Sequence, residues 1–216
     1  AGNGWVLNGS KHVVPAGDEA DAFVVPARIS GASDDEAGIG LFLVERSAAR
    51  VRGYTTQDGA RAADVLLADA PAALIAQDGF VHLERAADIA LAAGCAEAVG
   101  LMDRLVAVTV EYMNTRKQFG TTLASFQALR HRIADVKMQL ELGRSMSYFA
   151  SLKLGEPAPK RRRAISQAKV QLGQSMRHVG QQCTQIHGGI GVTDEYIGSH
   201  YFKRLTVLEM AYGDTL

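Results

Sequence analysis

Apolar residues change their spacing along this 216-residue chain, and the change divides it in two. Up to about residue 70 the apolar runs are short and punctuated by turn-forming residues. Trp5-Val6-Leu7 runs into Asn8-Gly9, a dipeptide that predicts a hairpin turn. His12-Val13-Val14, Ala22-Phe23-Val24-Val25 and Gly38-Ile39-Gly40-Leu41-Phe42-Leu43-Val44 follow as further strands. Gly17-Asp18-Glu19 and the small, acidic stretch from Ser30 to Gly38 read as surface loops. Short strands separated by turns predict a small β-barrel or sandwich.

From about residue 73 the period becomes helical. Ala86 to Tyr112 is a long, proline-free run rich in Ala, Leu, Val and Met. Phe126, Leu129, Ile133, Val136, Met138, Leu140 and Leu142 recur at roughly helical spacing among charged residues. Gly155-Glu156-Pro157-Ala158-Pro159 stops that helix, because proline cannot continue it and glycine suits the exit. A third long helix is predicted from about Arg161 to Thr184, ended by the glycines at 188–191, and a shorter one from Tyr201 to Tyr212. The expected fold is α+β: a small β-domain over residues 1–72, partial in extent, then an antiparallel four-helix bundle over 73–216.

Charge narrows the choice of partner. Lys plus Arg and Asp plus Glu each total 23, so no net charge supports nucleic-acid binding. Cys95 and Cys183 stand alone, without metal-ligand or disulfide-framework spacing. Neither a signal peptide nor an apolar run of membrane-spanning length is present, which leads to the expectation of a cytoplasmic protein without a membrane span or a metal site. The basic run Lys160-Arg161-Arg162-Arg163 reads mainly as a solvated helix start.

Two segments carry candidate chemistry. Arg116-Lys117-Gln118-Phe119-Gly120 offers a guanidinium able to grip a pyrophosphate bidentately and an aromatic ring able to cover an adenine. The same Arg-Lys pair at a helix C-terminus would also complement the helix dipole. Gln185-Ile186-His187-Gly188-Gly189-Ile190-Gly191 combines a polar side chain with glycines that let a ligand approach the backbone, or simply ends a helix.

Gly4-Trp5-Val6-Leu7-Asn8-Gly9-Ser10-Lys11, Ala96-Glu97-Ala98-Val99-Gly100, Glu111-Tyr112, Arg116 to Gly120, Ser125-Phe126-Gln127, His131, Ala134-Asp135, Gln185 to Gly191, Lys203-Arg204 and Tyr212-Gly213-Asp214-Thr215 occur in an order that resembles the acyl-CoA dehydrogenase family. The resemblance implies an FAD enzyme that desaturates an acyl-CoA thioester and passes electrons to an electron-transfer flavoprotein. By that likeness Arg116, Phe119, Gly120, Gln127, Gln185, Gly188, Gly189 and Thr215 belong to FAD sites. The Arg116 and Gln185 segments would serve the flavin of a neighbouring subunit, and Thr215 that of its own. Family members also carry an N-terminal helical domain, which is absent from this sequence, so the chain reads as a fragment or as part of a longer protein.

The family's catalytic glutamate is missing. Its position falls on Gly213 or Tyr212, depending on the end from which it is counted, and the alternative position on the long helix falls on Ala90. Asp214 is the best substitute, one methylene shorter and one residue displaced, and Glu209, Asp88 and Glu84 lie near. Val13-Val14-Pro15 stands where the family places flavin-contacting aromatic and threonine residues; Pro15 has no hydroxyl and no backbone N–H. The resemblance therefore points to the subunit lacking the base in a heteromeric α2β2 enzyme, like actinobacterial enzymes acting on steroid side-chain CoA thioesters. The alternatives are a homotetramer using Asp214 and a non-enzymatic scaffold.

Overall fold

The computed structural model of the chain describes residues 4–214. Its contacts divide the chain into two units, one up to Ala86 and one from Ala87. Among the described residues the first contains β1 (Trp5–Pro15), β2 (Ala22–Arg28), β3 (Ile39–Glu45), β4 (Arg50–Thr55) and β5 (Arg61–Ala76). The strands are ordered β1-β5-β3-β2, with β4 also on β5, and every ladder is antiparallel. Alternation explains the core: Phe23 and Val25 are buried while Val24 between them is exposed, and Phe42 and Val44 are buried around Leu43. Trp5 meets Phe42 edge to face with centroids 5.3 Å apart.

Two local expectations are corrected. Asn8-Gly9 makes no hairpin turn; β1 continues through it as a bulge, with the register shifting between Leu7 and Gly9. The Asn8 side chain replaces the interrupted ladder, since Asp69 N–H donates to Asn8 Oδ1 at 2.8 Å and Asn8 Nδ2 donates to Asp69 Oδ1 at 3.1 Å. Asp69 has φ +49°, and it lies between the stretches of β5 that pair with β4 and with β3. Secondly, the period does not become helical at residue 73. Ala73, Leu74 and Ala76 still pair with β3, and the first helix begins at Phe80. The acidic stretch after β2 is a surface loop as expected, organised by Arg28, whose guanidinium donates to the carbonyls of Ser30, Ser33, Asp35 and Ala37.

The helices are α1 (Phe80–Thr115), α2 (Gln127–Lys153), α3 (Ala158–His187) and α4 (Ile197–Met210). Cross-helix contacts fix their directions in the second unit. Asp88 of α1 meets Arg161 of α3, and Tyr112 meets His187, so these two helices run parallel. Gln139 and Gly143 face Ser175 and Leu172, setting α2 antiparallel to α3. Phe202 packs at Gly180 while Glu209 reaches Arg177 and Lys169, setting α4 antiparallel to α3 as well. Met102, Leu105, Val136, Leu140, Ile165, Leu172, Val179 and Leu205 form the shared core. A β-carbon at Gly143 would sit 3.2 Å from both Leu172 and Met102, so this glycine permits the close crossing.

Not all the periodic apolar residues of α2 face that core. Met138 and Leu142 are exposed, because the buried stripe is Val136, Leu140, Gly143, Ser147 and Ala150 and these two fall on other sides of the helix. Charged residues tie the helices together around the core. Glu97 takes Arg204 through both carboxylate oxygens, at 2.6 and 3.0 Å, and Arg144 reaches Asp103 at 2.8 Å. Asp88 and Arg161, 2.5 Å apart, are both buried. Removing one member of a buried pair leaves the other charge uncompensated. Asp88→Ala is therefore expected to lower the unfolding free energy by roughly 3–5 kcal/mol in denaturant titrations. Asp103→Ala, at the exposed pair, is expected to cost about 1 kcal/mol or less.

Candidate functional site

The Arg116 segment begins where α1 ends. Lys117–Gln118 pairs with Thr121–Thr122, leaving Phe119-Gly120 as a two-residue turn. Both turn residues have positive φ, +54° and +81°, as in the mirror-image turns that join twisted strands. Glycine accepts this without strain; phenylalanine does not, at a cost of roughly 1–2 kcal/mol. The strained ring is 92% exposed. Phe126 steadies it edge to face, with centroids 6.2 Å apart. Leu123 N–H donates to Arg116 O at 2.9 Å, and Ser125 Oγ donates to Thr122 O at 2.7 Å, closing the base of the hairpin. The Arg116 side chain is exposed and forms no ion pair with any described residue, and Gln127, which opens α2, is also exposed. The hairpin thus presents a guanidinium and an aromatic face outward.

The Gln185 segment begins where α3 ends. Gly188 takes φ +65° and ψ −139°, and its N–H caps the helix through Gln185 O and Thr184 O. Gln185, Gly188 and Gly189 are exposed, and nothing lies within 4 Å of a β-carbon built on either glycine. Gly191 is different: its β-carbon would come within 2.7 Å of Thr184 O, so only glycine lets the chain turn back there.

Behind these glycines His187 is buried between two tyrosines. Its ring centroid lies 4.6 Å from that of Tyr112 and 4.7 Å from that of Tyr196. Nδ1 faces Cys183 O at 2.8 Å and must carry the proton; Nε2, 2.7 Å from Tyr196 Oη, then accepts from the phenol. Burial lowers the His187 pKa below its ordinary 6.5 and raises that of Tyr196, so both groups are neutral in this contact.

The closing segment follows α4. Tyr212 has φ +58° and Gly213 φ +103°. A β-carbon at 213 has space but an unfavourable backbone, so a glutamate there would be strained. Lys169, half-buried on α3, donates to Glu209 O at 2.5 Å and Gly213 O at 2.7 Å. Its pKa is lowered, chiefly by burial. Asp214 is exposed on this pinned turn. Glu209 is buried and held by Arg177 at 2.8 Å, Asp88 is held by Arg161, and Ala90 is half-buried on α1. Thr215 lies outside the described residues.

In the first unit, Val13 has φ +52°, unusual for a β-branched residue, and is exposed. Its N–H donates to Tyr54 Oη at 3.2 Å, and Tyr54 in turn donates to Asp64, which also meets His12 Nδ1 at 3.1 Å. Pro15 pairs with Ala62 at the end of β1.

Residues 77–215 match the family model for the C-terminal domain of acyl-CoA dehydrogenases. The chain belongs to the acyl-CoA dehydrogenase family. It is 28% identical over 225 residues to the short-chain specific acyl-CoA dehydrogenase of Megasphaera elsdenii, covering 97% of this chain and 57% of that protein. It is 35% identical over 118 residues to the acyl-CoA dehydrogenase IpdE2 of Mycobacterium tuberculosis, covering 55% of this chain and 35% of that one. Among solved structures, the ChsE4-ChsE5 complex from Mycobacterium tuberculosis superposes with a TM-score of 0.85 at 26% identity, covering all of this chain and 58% of the matched one. This acyl-CoA dehydrogenase chain therefore spans somewhat under three-fifths of the length of the first of these relatives.

Within this family member, sequence reading located the two segments but not what holds them. Tyr196 gives no local signal, because its partner is reached only by the fold. Lys169 does give one: it is a lone cation in the run Ala168-Lys169-Val170-Gln171-Leu172, of which Ala168 and Leu172 are fully buried. A histidine whose folded pKa is lowered binds fewer protons folded than unfolded, so its contribution is present above pH about 6.5 and is lost as pH falls. The melting temperature of the wild type is expected to fall more steeply between pH 7 and 5 than that of His187→Gln, measured by calorimetry in matched buffers.

Proposed function

We propose that this chain is the subunit without a catalytic glutamate in a heteromeric, FAD-dependent acyl-CoA dehydrogenase, lending cofactor-binding residues across an interface to a homologous partner. The observation that carries this reading is an asymmetry. The Arg116 hairpin and the Gln185 turn are built and outward-facing, whereas Ala90, Tyr212 and Gly213 supply no carboxylate and the backbone at 213 suits glycine.

The donor set fits the adenosine-pyrophosphate half of FAD. Arg116 can pair bidentately with phosphate oxygens, Phe119 offers a face to the adenine or ribose, Gln185 and Gln127 supply amides, and Gly188 and Gly189 let the backbone approach. Bound flavin would supply the hydride acceptor for α,β-desaturation of the acyl-CoA, with an electron-transfer flavoprotein as the next acceptor. The proton at Cα then has to leave to a carboxylate of the partner subunit. Family relatives that form a two-chain complex, such as ChsE4-ChsE5, support this assembly.

A second reading, a homotetramer in which Asp214 is the base, draws support from Lys169, which fixes the turn carrying that carboxylate. Two variants of the complex co-expressed with a glutamate-bearing homologue separate the readings. Arg116→Ala is expected to weaken flavin retention about ten- to a hundredfold, the loss of charge-assisted hydrogen bonds, while Asp214→Asn leaves turnover unchanged. Flavin retention unaffected by Arg116→Ala, or turnover abolished by Asp214→Asn with flavin still bound, would overturn the proposal.

A further inference from the structure

α1 and α3 run parallel and end together. The separation along the chain is 73 residues for the Asp88–Arg161 pair and 75 for Tyr112–His187, so the two helices stay in step over their shared length. As a result the Arg116 hairpin and the Gly188 turn leave the same end of the bundle. One contact joins the two exits. Tyr112 lies one turn before Arg116, whose N–H donates to Tyr112 O at 2.8 Å. Its ring stacks on His187, the last residue of α3, and its hydroxyl reaches toward His187 O at 3.5 Å. Tyr196, from the loop before α4, supplies both a second ring against the imidazole, tilted by 49°, and the hydrogen bond to Nε2.

We propose that the Tyr112–His187–Tyr196 stack is a positioning device that holds the hairpin and the glycine turn in register, so that the two segments act as one cofactor-binding surface. The role in cofactor binding rests on the FAD reading above; the mechanical coupling does not. Three features favour a positioning role over simple core packing. Both ring nitrogens are committed, so the imidazole cannot rotate without leaving one buried and unpaired. A β-carbon at Gly191 would come within 3.0 Å of the His187 β-carbon, so glycine lets the turn fold back close to His187. Finally, the hairpin that the stack adjoins carries a residue whose backbone needs external support, Phe119 at φ +54°. Tyr196 thus acts on the candidate site through His187, without itself standing among the exposed groups.

Tyr196→Phe is the discriminating variant, because it keeps the ring and removes only the hydroxyl. Hydrogen–deuterium exchange on the full chain is expected to rise at least fivefold together in peptides covering 116–122 and 188–192, while the core of α2 around Val136 and Leu140 keeps its protection. In the flavin-loaded complex, the same variant is expected to weaken FAD binding about tenfold, in line with one buried acceptor left unpaired. Exchange that rises only around 188–196, or evenly through the bundle, would overturn the coupling. Coupled exchange with unchanged affinity for bound flavin would overturn the role in cofactor binding. If no flavin binds to any complex of the wild type, the FAD reading fails, and the exchange result still decides the coupling. Where His187→Gln fails to fold, Tyr112→Leu, which removes one stacking face and leaves the imidazole hydrogen bonds in place, provides the second measurement, with the same pair of segments expected to loosen.

Discussion

The parallel alignment of α1 and α3 is the constraint on which the candidate site depends. Two helices in antiparallel hairpins would send their exits to opposite ends; here α2 intervenes, and the chain returns before α3 begins. The buried Asp88–Arg161 pair sets one end of that alignment, and the aromatic contact at Tyr112 and His187 sets the other. An ion pair in the interior adds little stability compared with well-packed apolar residues, but it is intolerant of mismatch. Its value in this fold is to specify which residues of two long helices face each other. The apolar core between them, with Ala92, Ala98 and Ala168 among larger side chains, permits close approach but by itself would accept several registers.

Five described non-glycine residues have left-handed backbone: Ala16 and Asp69 lie elsewhere in the β-domain, whereas Val13, Phe119 and Tyr212 fall on the β1 bulge, the hairpin tip and the closing turn. Each of the last three is held by a specific support: Tyr54 at Val13, Phe126 at Phe119, and Lys169 beside Tyr212. A backbone kept in a sparsely populated region against a cost of order 1–3 kcal/mol is over-determined by its surroundings. That pattern suits segments shaped before a ligand arrives. The β1 bulge and the closing turn retain the strained backbone even though Val13 and Gly213 carry none of the groups that flavin contact or proton abstraction would use.

Much of this was legible in the sequence, for physical reasons. Helical periodicity and the Gly155–Pro159 break located the helices because both are properties of local chain. The Phe119-Gly120 and Gly188-Gly189 positions were visible because glycine marks unusual backbone. What the local signals could not distinguish was a turn from a bulge. Asn8-Gly9 suits a hairpin equally well, and only the pairing of β1 with distant Asp69 and Leu67 decides for a continuous strand. The hairpin after α1 was likewise hidden, since two-residue strands have no periodicity to read. Lys169 stood out as a lone cation between buried apolar positions, but its partners 40 and 44 residues on, and the contact of Tyr196 with His187, became apparent only once the segments after α3 were packed against it.

On the proposed reading, the Arg116 and Gln185 segments hold FAD and the base comes from the partner, so this chain is half of a working site. The ratio of flavin to polypeptide measures this directly. In a complex purified after co-expression with a glutamate-bearing homologue, the account predicts one FAD per pair of unlike chains, and little flavin on this chain expressed alone. One FAD per chain in a homo-oligomer of this protein, with dehydrogenase turnover, would contradict it.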